Sequence, residues 1–209
     1  MEVMPDDVRL IKTVSCLGFA DAKEDDPLFK EAFAVGKILA EHNYVVANGG
    51  GPGVMRATTE GAKSVNGHVV GVTFYPKDVE IFEGRDKNNL FDEEIKSDNY
   101  LSRTLKLLEV GQAYVIFRGG TGTISEFGMA WGLARLYFGH HKPLILYGKF
   151  WENIMAAFIA NMRMRPEEFQ VYRVVNSPEE VIKALELFEV MMQHEEKHNF
   201  SPAEKAFEL

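Results

Sequence analysis

Short apolar runs alternate with longer amphipathic stretches along most of this chain. The apolar runs predict strands at 13–17, 44–47, 68–74, 113–117, 143–147 and 170–175. Several of these runs are almost unbroken, which is typical of parallel strands that are covered on both faces. The amphipathic stretches predict helices at 25–42, 53–65 and 99–110, after Gly122, at 151–162 and after Ser177. This alternation predicts a single α/β domain, a Rossmann-like doubly wound parallel sheet flanked by helices.

Two segments depart from the alternation. Residues 76–98 carry many charges and have no clear period, so a mobile loop beside a ligand crevice and a solvated linker are both open interpretations. The polar end of the chain predicts a charged, helical tail at 191–209, which follows a domain at 1–190.

The charge balance restricts the possible functions. The chain of 209 residues has a formal net charge of −8, whereas proteins that bind nucleic acid or anionic membranes usually present a net basic face. We therefore expect neither partner. Cys16 is the only cysteine, and no apolar run approaches the roughly 18 residues that span a bilayer. Because the acidic N-terminus also lacks the pattern of a secretory signal, we expect a cytoplasmic protein.

Two glycine-rich turns each follow a predicted strand and precede a predicted helix. The first turn comprises Gly49, Gly50, Gly51, Pro52, Gly53, Val54 and Met55, and the second comprises Gly119, Gly120, Thr121, Gly122 and Thr123. Glycine lets the backbone approach a bulky anion, and the start of the next helix offers free N–H groups to a phosphate. One such turn could be only a tight connection. Two turns at the carboxyl ends of strands in one sheet predict a nucleotide-binding crevice.

Neither turn carries a common nucleotide motif. A P-loop ends in Gly-Lys-Ser/Thr, and neither turn is followed by a lysine. A dinucleotide fold has Gly-x-Gly-x-x-Gly after its first strand, where this chain has only Gly18. ATP hydrolysis and hydride transfer are therefore disfavoured.

Arg103 and Glu126 are the candidate catalytic side chains. Glu126 lies in the first turn of the helix after Thr123, where a carboxylate often only stabilises the helix dipole. Arg103 could equally be a solvated surface residue. Beside a bound ribose, however, a carboxylate could stabilise an oxocarbenium-like transition state or position a water, and an arginine could hold phosphate or assist the leaving base.

The chain resembles the Lonely Guy (LOG) family in Arg103, the second glycine turn, Glu126, the first turn at 49–55 and Lys142-Pro143, over about residues 11–185. The resemblance implies a phosphoribohydrolase that splits a nucleoside 5′-monophosphate, AMP or a cytokinin-type nucleotide, into free base and ribose 5-phosphate. It implies that Arg103 and Glu126 are catalytic and that both turns bind the phosphate. It also implies a homodimer that needs no cofactor and no metal.

Four positions depart from the family pattern. Phe19 stands where members often have serine, Thr104 replaces a lysine, Arg118 replaces the signature proline, and Met129 lies where a second acidic residue is common. These departures leave a second hypothesis open, a non-catalytic nucleotide sensor or a carrier of a molybdopterin-type cofactor. The lysine decarboxylase label that many relatives carry is not supported, because we find no convincing lysine site for pyridoxal phosphate.

Overall fold

The computed structural model describes residues 9–75 and 85–196. Within these residues, one sheet contains the strands β1 (Thr13–Leu17), β2 (Val45–Asn48), β3 (Val69–Phe74), β4 (Glu93–Ser97), β5 (Ala113–Ile116), β6 (Leu144–Tyr147) and β7 (Tyr172–Val175). The helices are α1 (Pro27–Glu41), α2 (Val54–Lys63), α3 (Tyr100–Val110), α4 (Thr121–Leu136), α5 (Phe150–Asn161) and α6 (Pro178–Glu196), with a short 3₁₀ helix at Pro166–Phe169.

The sheet is parallel throughout, and its strand order is β4-β3-β2-β1-β5-β6-β7. Helices α1, α2 and α6 cover one face, and α3, α4 and α5 cover the other. The predicted Rossmann-like, doubly wound α/β fold is therefore confirmed. The strand order reverses between β1 and β5, and ligands bind beside such a switch point in open α/β sheets.

The apolar runs of β1, β2, β3, β5 and β6 reflect burial of both faces of these strands. In β6, Ile145 and Tyr147 pack against α1 and α6, whereas Leu144 and Leu146 pack against the helices of the opposite face. Successive side chains of a strand point to opposite faces, so a strand covered on both sides needs apolar residues at every position.

The interpretation of residues 76–98 as an irregular loop or linker is wrong for its last part. Residues 93–97 form β4, which pairs in parallel with β3 at the edge of the sheet. The charged sequence of this strand gives no periodic signal because Ile95 is the residue that packs on the core while its neighbours face solvent. Residues 76–84 of this segment lie outside the described residues.

The predicted domain boundary at residue 190 falls within α6, which continues to Glu196. Residues 197–209 of the predicted tail lie outside the described part of the chain. None of the helices that the structure describes is long and apolar enough to cross a membrane.

Candidate functional site

Helix α3 holds Arg103 one turn from its start. The Asn99 side chain accepts a hydrogen bond from the Ser102 N–H (2.9 Å), and the Ser102 hydroxyl accepts one from the Asn99 N–H (3.1 Å). This capping box fixes the start of the helix. At its end, the Lys142 ammonium donates to the carbonyl of Leu108 (3.0 Å). Hydrogen bonds fix both ends of α3, so this helix can hold Arg103 in a defined position.

Arg103 contacts Glu126, although the two residues are 23 positions apart in sequence. The Arg103 Nη2 lies 3.1 Å from the Glu126 Oε1, and these residues are only 7% and 5% exposed. Burial raises the pKa of the Glu126 carboxyl, and the charge and hydrogen bond of Arg103 oppose that rise. The ion pair therefore favours a charged carboxylate in an environment that disfavours it.

A cavity of about 150 Å³ opens beside this ion pair, at the switch point between β1 and β5. The predicted site residues that line it are Arg103, Glu126, Gly49, Met55, Gly120, Thr121, Gly122 and Thr123. The predicted site residues that do not line it are Gly50, Gly51, Gly53, Val54 and Gly119. The second turn thus contributes most of its residues to the cavity, and the first contributes only its two ends.

The second turn is open to solvent. Gly120, Thr121 and Gly122 are exposed, and no side chain in the described part of the chain caps α4 at Gly120. The first N–H groups of a helix have no partner within the helix and lie at its positive dipole end. This end of the cavity is therefore suited to an anion.

The first turn is buried and bonded to the protein itself. The Gly50 N–H donates to the Asn48 Oδ1 (2.9 Å), and the Gly51 carbonyl accepts from the buried Asn89 side chain (2.8 Å). A Cβ at Gly49 would lie 2.8 Å from the Arg103 Nη2. The absence of a side chain at Gly49 therefore makes room for Arg103 against the backbone of this turn.

Two aromatic residues of the cavity are missing from the predicted site. Phe19 lines the cavity, and 40% of this residue is exposed to solvent. Tyr100 lines the cavity from the start of α3. The Arg103 guanidinium lies 5.5 Å from the centre of the Tyr100 ring. Tyr100 could have been found from its position three residues before Arg103 on the same helix, because side chains at that spacing are neighbours.

The structure also places Cys16 and Arg118 relative to the cavity. Burial raises the pKa of the Cys16 thiol to about 12, so this cavity-lining cysteine remains protonated near neutral pH. The exposed Arg118 guanidinium lies 4.5 Å from the centre of the Phe150 ring, and Arg118 does not line the cavity. Among the described residues, no group of three or more His, Cys, Asp or Glu side chains could hold a metal ion.

Comparisons with known proteins concern the family and the fold of the chain. The model of the SLOG cluster4 family matches residues 11–182. An uncharacterised protein of Archaeoglobus fulgidus is 32% identical over 124 residues, which are 59% of this chain and 78% of that protein.

Two solved structures have a similar fold. The molybdenum cofactor binding protein of the phototrophic bacterium Rippkaea orientalis matches with a TM-score of 0.63 and 20% identity, over 85% of this chain and 97% of that chain. The Moco carrier protein of Chlamydomonas reinhardtii matches with a TM-score of 0.56 and 20% identity, over 85% and 96% of the two chains. At these identities the similarity supports the fold alone.

Proposed function

The chain belongs to the SLOG cluster4 family, and we propose that it binds a nucleoside 5′-monophosphate and hydrolyses its N-glycosidic bond. The observation that carries the proposal is the buried Arg103–Glu126 ion pair, which lines one cavity together with the uncapped start of α4. The proposed reaction uses a site that binds the phosphate and a buried carboxylate. The start of α4 is the proposed phosphate site, and Glu126 is the carboxylate.

In the proposed complex, the 5′-phosphate lies at the start of α4, where the N–H groups of the second turn and the Thr121 hydroxyl donate to it. The ribose then lies toward Glu126. As the bond between C1′ and the base breaks, the bonding electrons leave with the base and positive charge develops on the sugar. The Glu126 carboxylate stabilises that charge and orients a water toward C1′. Water supplies the hydroxyl of ribose 5-phosphate and the proton of the free base.

Arg103 has two roles in this mechanism. Its positive charge favours the ionised form of Glu126, against the burial that raises the pKa of this carboxyl. Its guanidinium also lines the cavity and can contact the phosphate or the base. Glu126 and Arg103 therefore act as a unit, and substitution of either should lower turnover.

The test uses AMP with wild-type protein, Glu126→Gln and a control variant, Glu189→Gln. Glu189 is a second buried glutamate, and it accepts from the Ile11 N–H (3.0 Å) before β1, at the amino ends of the strands and away from the cavity. We expect wild type and Glu189→Gln to release adenine and ribose 5-phosphate, and Glu126→Gln to lose about 10²- to 10³-fold in kcat. Equal rates for Glu126→Gln and wild type would exclude the proposed role of Glu126.

A second candidate function is binding without turnover, as a nucleotide sensor or a carrier of a molybdopterin-type cofactor. The observation that favours it is that Glu126 is the single acidic side chain among the described residues lining the cavity. No second carboxylate of that lining can protonate the leaving base, and Met129 packs against the core instead. Retention of AMP by the wild-type protein with no ribose 5-phosphate formed would favour this function over hydrolysis.

We also propose that the protein is a cytoplasmic homodimer that associates through α4. Ile124, Gly128, Gly132 and Leu136 recur every four residues on this helix and are exposed. A Cβ at Gly128 or Gly132 would meet no atom within 4 Å in the described structure, so a second helix could approach closely.

Sedimentation of wild type, Gly132→Arg and a control variant, Ile159→Arg, tests the dimer. Ile159 is an exposed residue on a neighbouring helix, α5. We expect wild type and Ile159→Arg to be dimeric and Gly132→Arg to be monomeric. A monomeric wild type, or a dimeric Gly132→Arg, would contradict the proposed interface.

A further inference from the structure

The backbone of Phe19 connects the two glycine turns. Its N–H donates to the Arg118 carbonyl (3.1 Å), immediately before the second turn, and its carbonyl accepts from the Val54 N–H (2.9 Å), at the end of the first. Phe19 is therefore held in a defined position at the switch point by both of the segments that frame the cavity.

The ring of Phe19 is partly exposed to solvent. The residue is 40% exposed, and none of the ring contacts within residues 9–75 and 85–196 involves it. A ligand that covers this ring removes apolar surface from water, and burial of an aromatic ring is favourable. Phe19 thus offers a partly exposed aromatic ring beside the cavity.

Tyr100, the other aromatic residue of the cavity, is already engaged. The Arg103 guanidinium lies 5.5 Å from its ring centre, its hydroxyl lies 3.4 Å from the Ser125 Oγ, and the Phe74 ring packs on it edge-on at 6.1 Å. These contacts on three sides make Tyr100 part of the support for Arg103. They leave Phe19 as the aromatic surface for a ligand.

The cavity is too small to enclose a whole nucleotide. Its volume of about 150 Å³ is below the roughly 300–1,000 Å³ of pockets that enclose a whole drug-sized ligand. In the proposed complex the phosphate lies at the start of α4 and the ribose lies toward Glu126, so the base extends beyond the cavity. Phe19 is the exposed aromatic residue of the lining, and it is therefore available to the base.

We propose that the Phe19 ring stacks on the planar base of the bound nucleotide and thereby selects nucleotides over sugar phosphates. This inference rests on the proposed function, since it assigns the base-binding part of the same site. It also gives a ligand-binding role to a residue at which the chain departs from the usual serine of LOG proteins.

The experiment measures the binding of AMP and of ribose 5-phosphate by calorimetry to wild type, Phe19→Ala, Phe19→Trp and Phe138→Ala. Phe138 is a matched control because it is a similarly exposed phenylalanine (37%) that does not line the cavity. Base–aromatic stacking measured by alanine substitution corresponds to about a 5- to 150-fold change in affinity. We therefore expect Phe19→Ala to weaken AMP binding about tenfold or more and to change ribose 5-phosphate binding less than about twofold.

Phe19→Trp should keep or improve AMP affinity, and Phe138→Ala should leave both affinities unchanged. Equal weakening of AMP and ribose 5-phosphate by Phe19→Ala would overturn the inference, because the residue would then act on the shared sugar phosphate. Unchanged AMP binding by Phe19→Ala would also overturn it while leaving the proposed function intact. If wild type binds neither ligand, the proposed function itself fails, and the inference fails with it.

Discussion

The two glycine turns look alike in sequence but differ in what they offer a ligand. The first turn is buried, and its Gly50 N–H and Gly51 carbonyl are bonded to Asn48 and Asn89. The second turn is exposed, and helix α4 starts there without a side-chain cap from any residue that the structure describes. The second turn, at the start of a helix, is therefore the better site for an anion.

This difference separates support from ligand binding. The buried turn leaves space for Arg103, and it is hydrogen-bonded to Asp86 and Asn89. Its glycines are therefore needed because a larger side chain would collide with the rest of the protein. The exposed turn has no comparable steric requirement at Gly120. Substitution of the buried glycines of the first turn should therefore change stability, and substitution of Gly120 should change ligand binding.

The largest effect is expected for Gly53→Ala. Gly53 has a φ of +62°, and a Cβ there would lie 2.4 Å from the carbonyl oxygens of Phe19 and Ala20. Because neither the dihedral nor the contact can relax without moving backbone, we expect a loss of about 3 kcal/mol or more in the free energy of unfolding. Urea denaturation measures it, and a variant as stable as wild type would remove the distinction between the two turns.

A smaller loss of stability is expected for Asn89→Ala. The fully buried Asn89 side chain donates to the Gly51 carbonyl, and its removal leaves that carbonyl without this bond. We expect a loss of about 1–3 kcal/mol in the free energy of unfolding.

The matched control for Asn89→Ala is Asn161→Ala. The Asn161 side chain donates to the Ala157 carbonyl at an exposed position, so this variant should lose less than about 0.5 kcal/mol. An equal loss in the free energy of unfolding of the two variants would show that the Asn89 hydrogen bond does not stabilise the first turn.

Gly120→Ala should reverse the pattern. A Cβ at Gly120 would meet no atom within 4 Å in the described structure, so the free energy of unfolding should change by less than about 0.5 kcal/mol. The added methyl group would stand in the proposed phosphate site, and we expect AMP affinity to fall about tenfold, or about 1.4 kcal/mol. Titration and denaturation of the same sample test both parts. Unchanged AMP affinity would argue against the second turn as the phosphate site.

The smallest effect concerns pH and lies away from both turns. Burial lowers the pKa of the His141 imidazole from 6.5 to about 4, with smaller contributions from His140 and Arg173. The unfolded chain therefore binds the proton first, so His141 contributes full stability above pH 6.5, and this contribution is lost as pH falls toward 4. We expect a loss of about 1 kcal/mol between pH 7.5 and 6.

His141→Gln should remove this part of the pH dependence, because glutamine stays neutral throughout the range. Denaturation curves at the two pH values measure it in both proteins. An identical pH dependence in wild type and variant would assign the effect to other groups. When activity is measured at low pH, the comparison of wild type with His141→Gln also separates loss of stability of the fold from protonation of Glu126.

Much of the fold follows from local patterns. Strand β1 was predicted with its observed bounds. The first helix was predicted at 25–42, and α1 begins at Pro27, where the Asp26 side chain accepts from the Leu28 N–H (2.9 Å). Strand β4 was missed because an edge strand needs only one apolar residue facing the core, and Glu93–Ser97 reads as a charged loop. The resemblance to LOG proteins is confirmed at the level of the SLOG cluster4 family.

By itself, the sequence determined the alternating α/β architecture and the two glycine turns after parallel strands. Periodicity and glycine clusters are local properties of the chain, and they were enough for those predictions. The catalytic roles of Arg103 and Glu126 are what the resemblance to LOG proteins implies, and they stay a prediction. Only the tertiary structure decided that the first turn is hydrogen-bonded by Asn48 and Asn89, that Arg103 pairs with Glu126, and that Phe19 lines their cavity. Those facts depend on packing between distant segments, and packing determines which N–H groups, charges and rings remain available to a ligand.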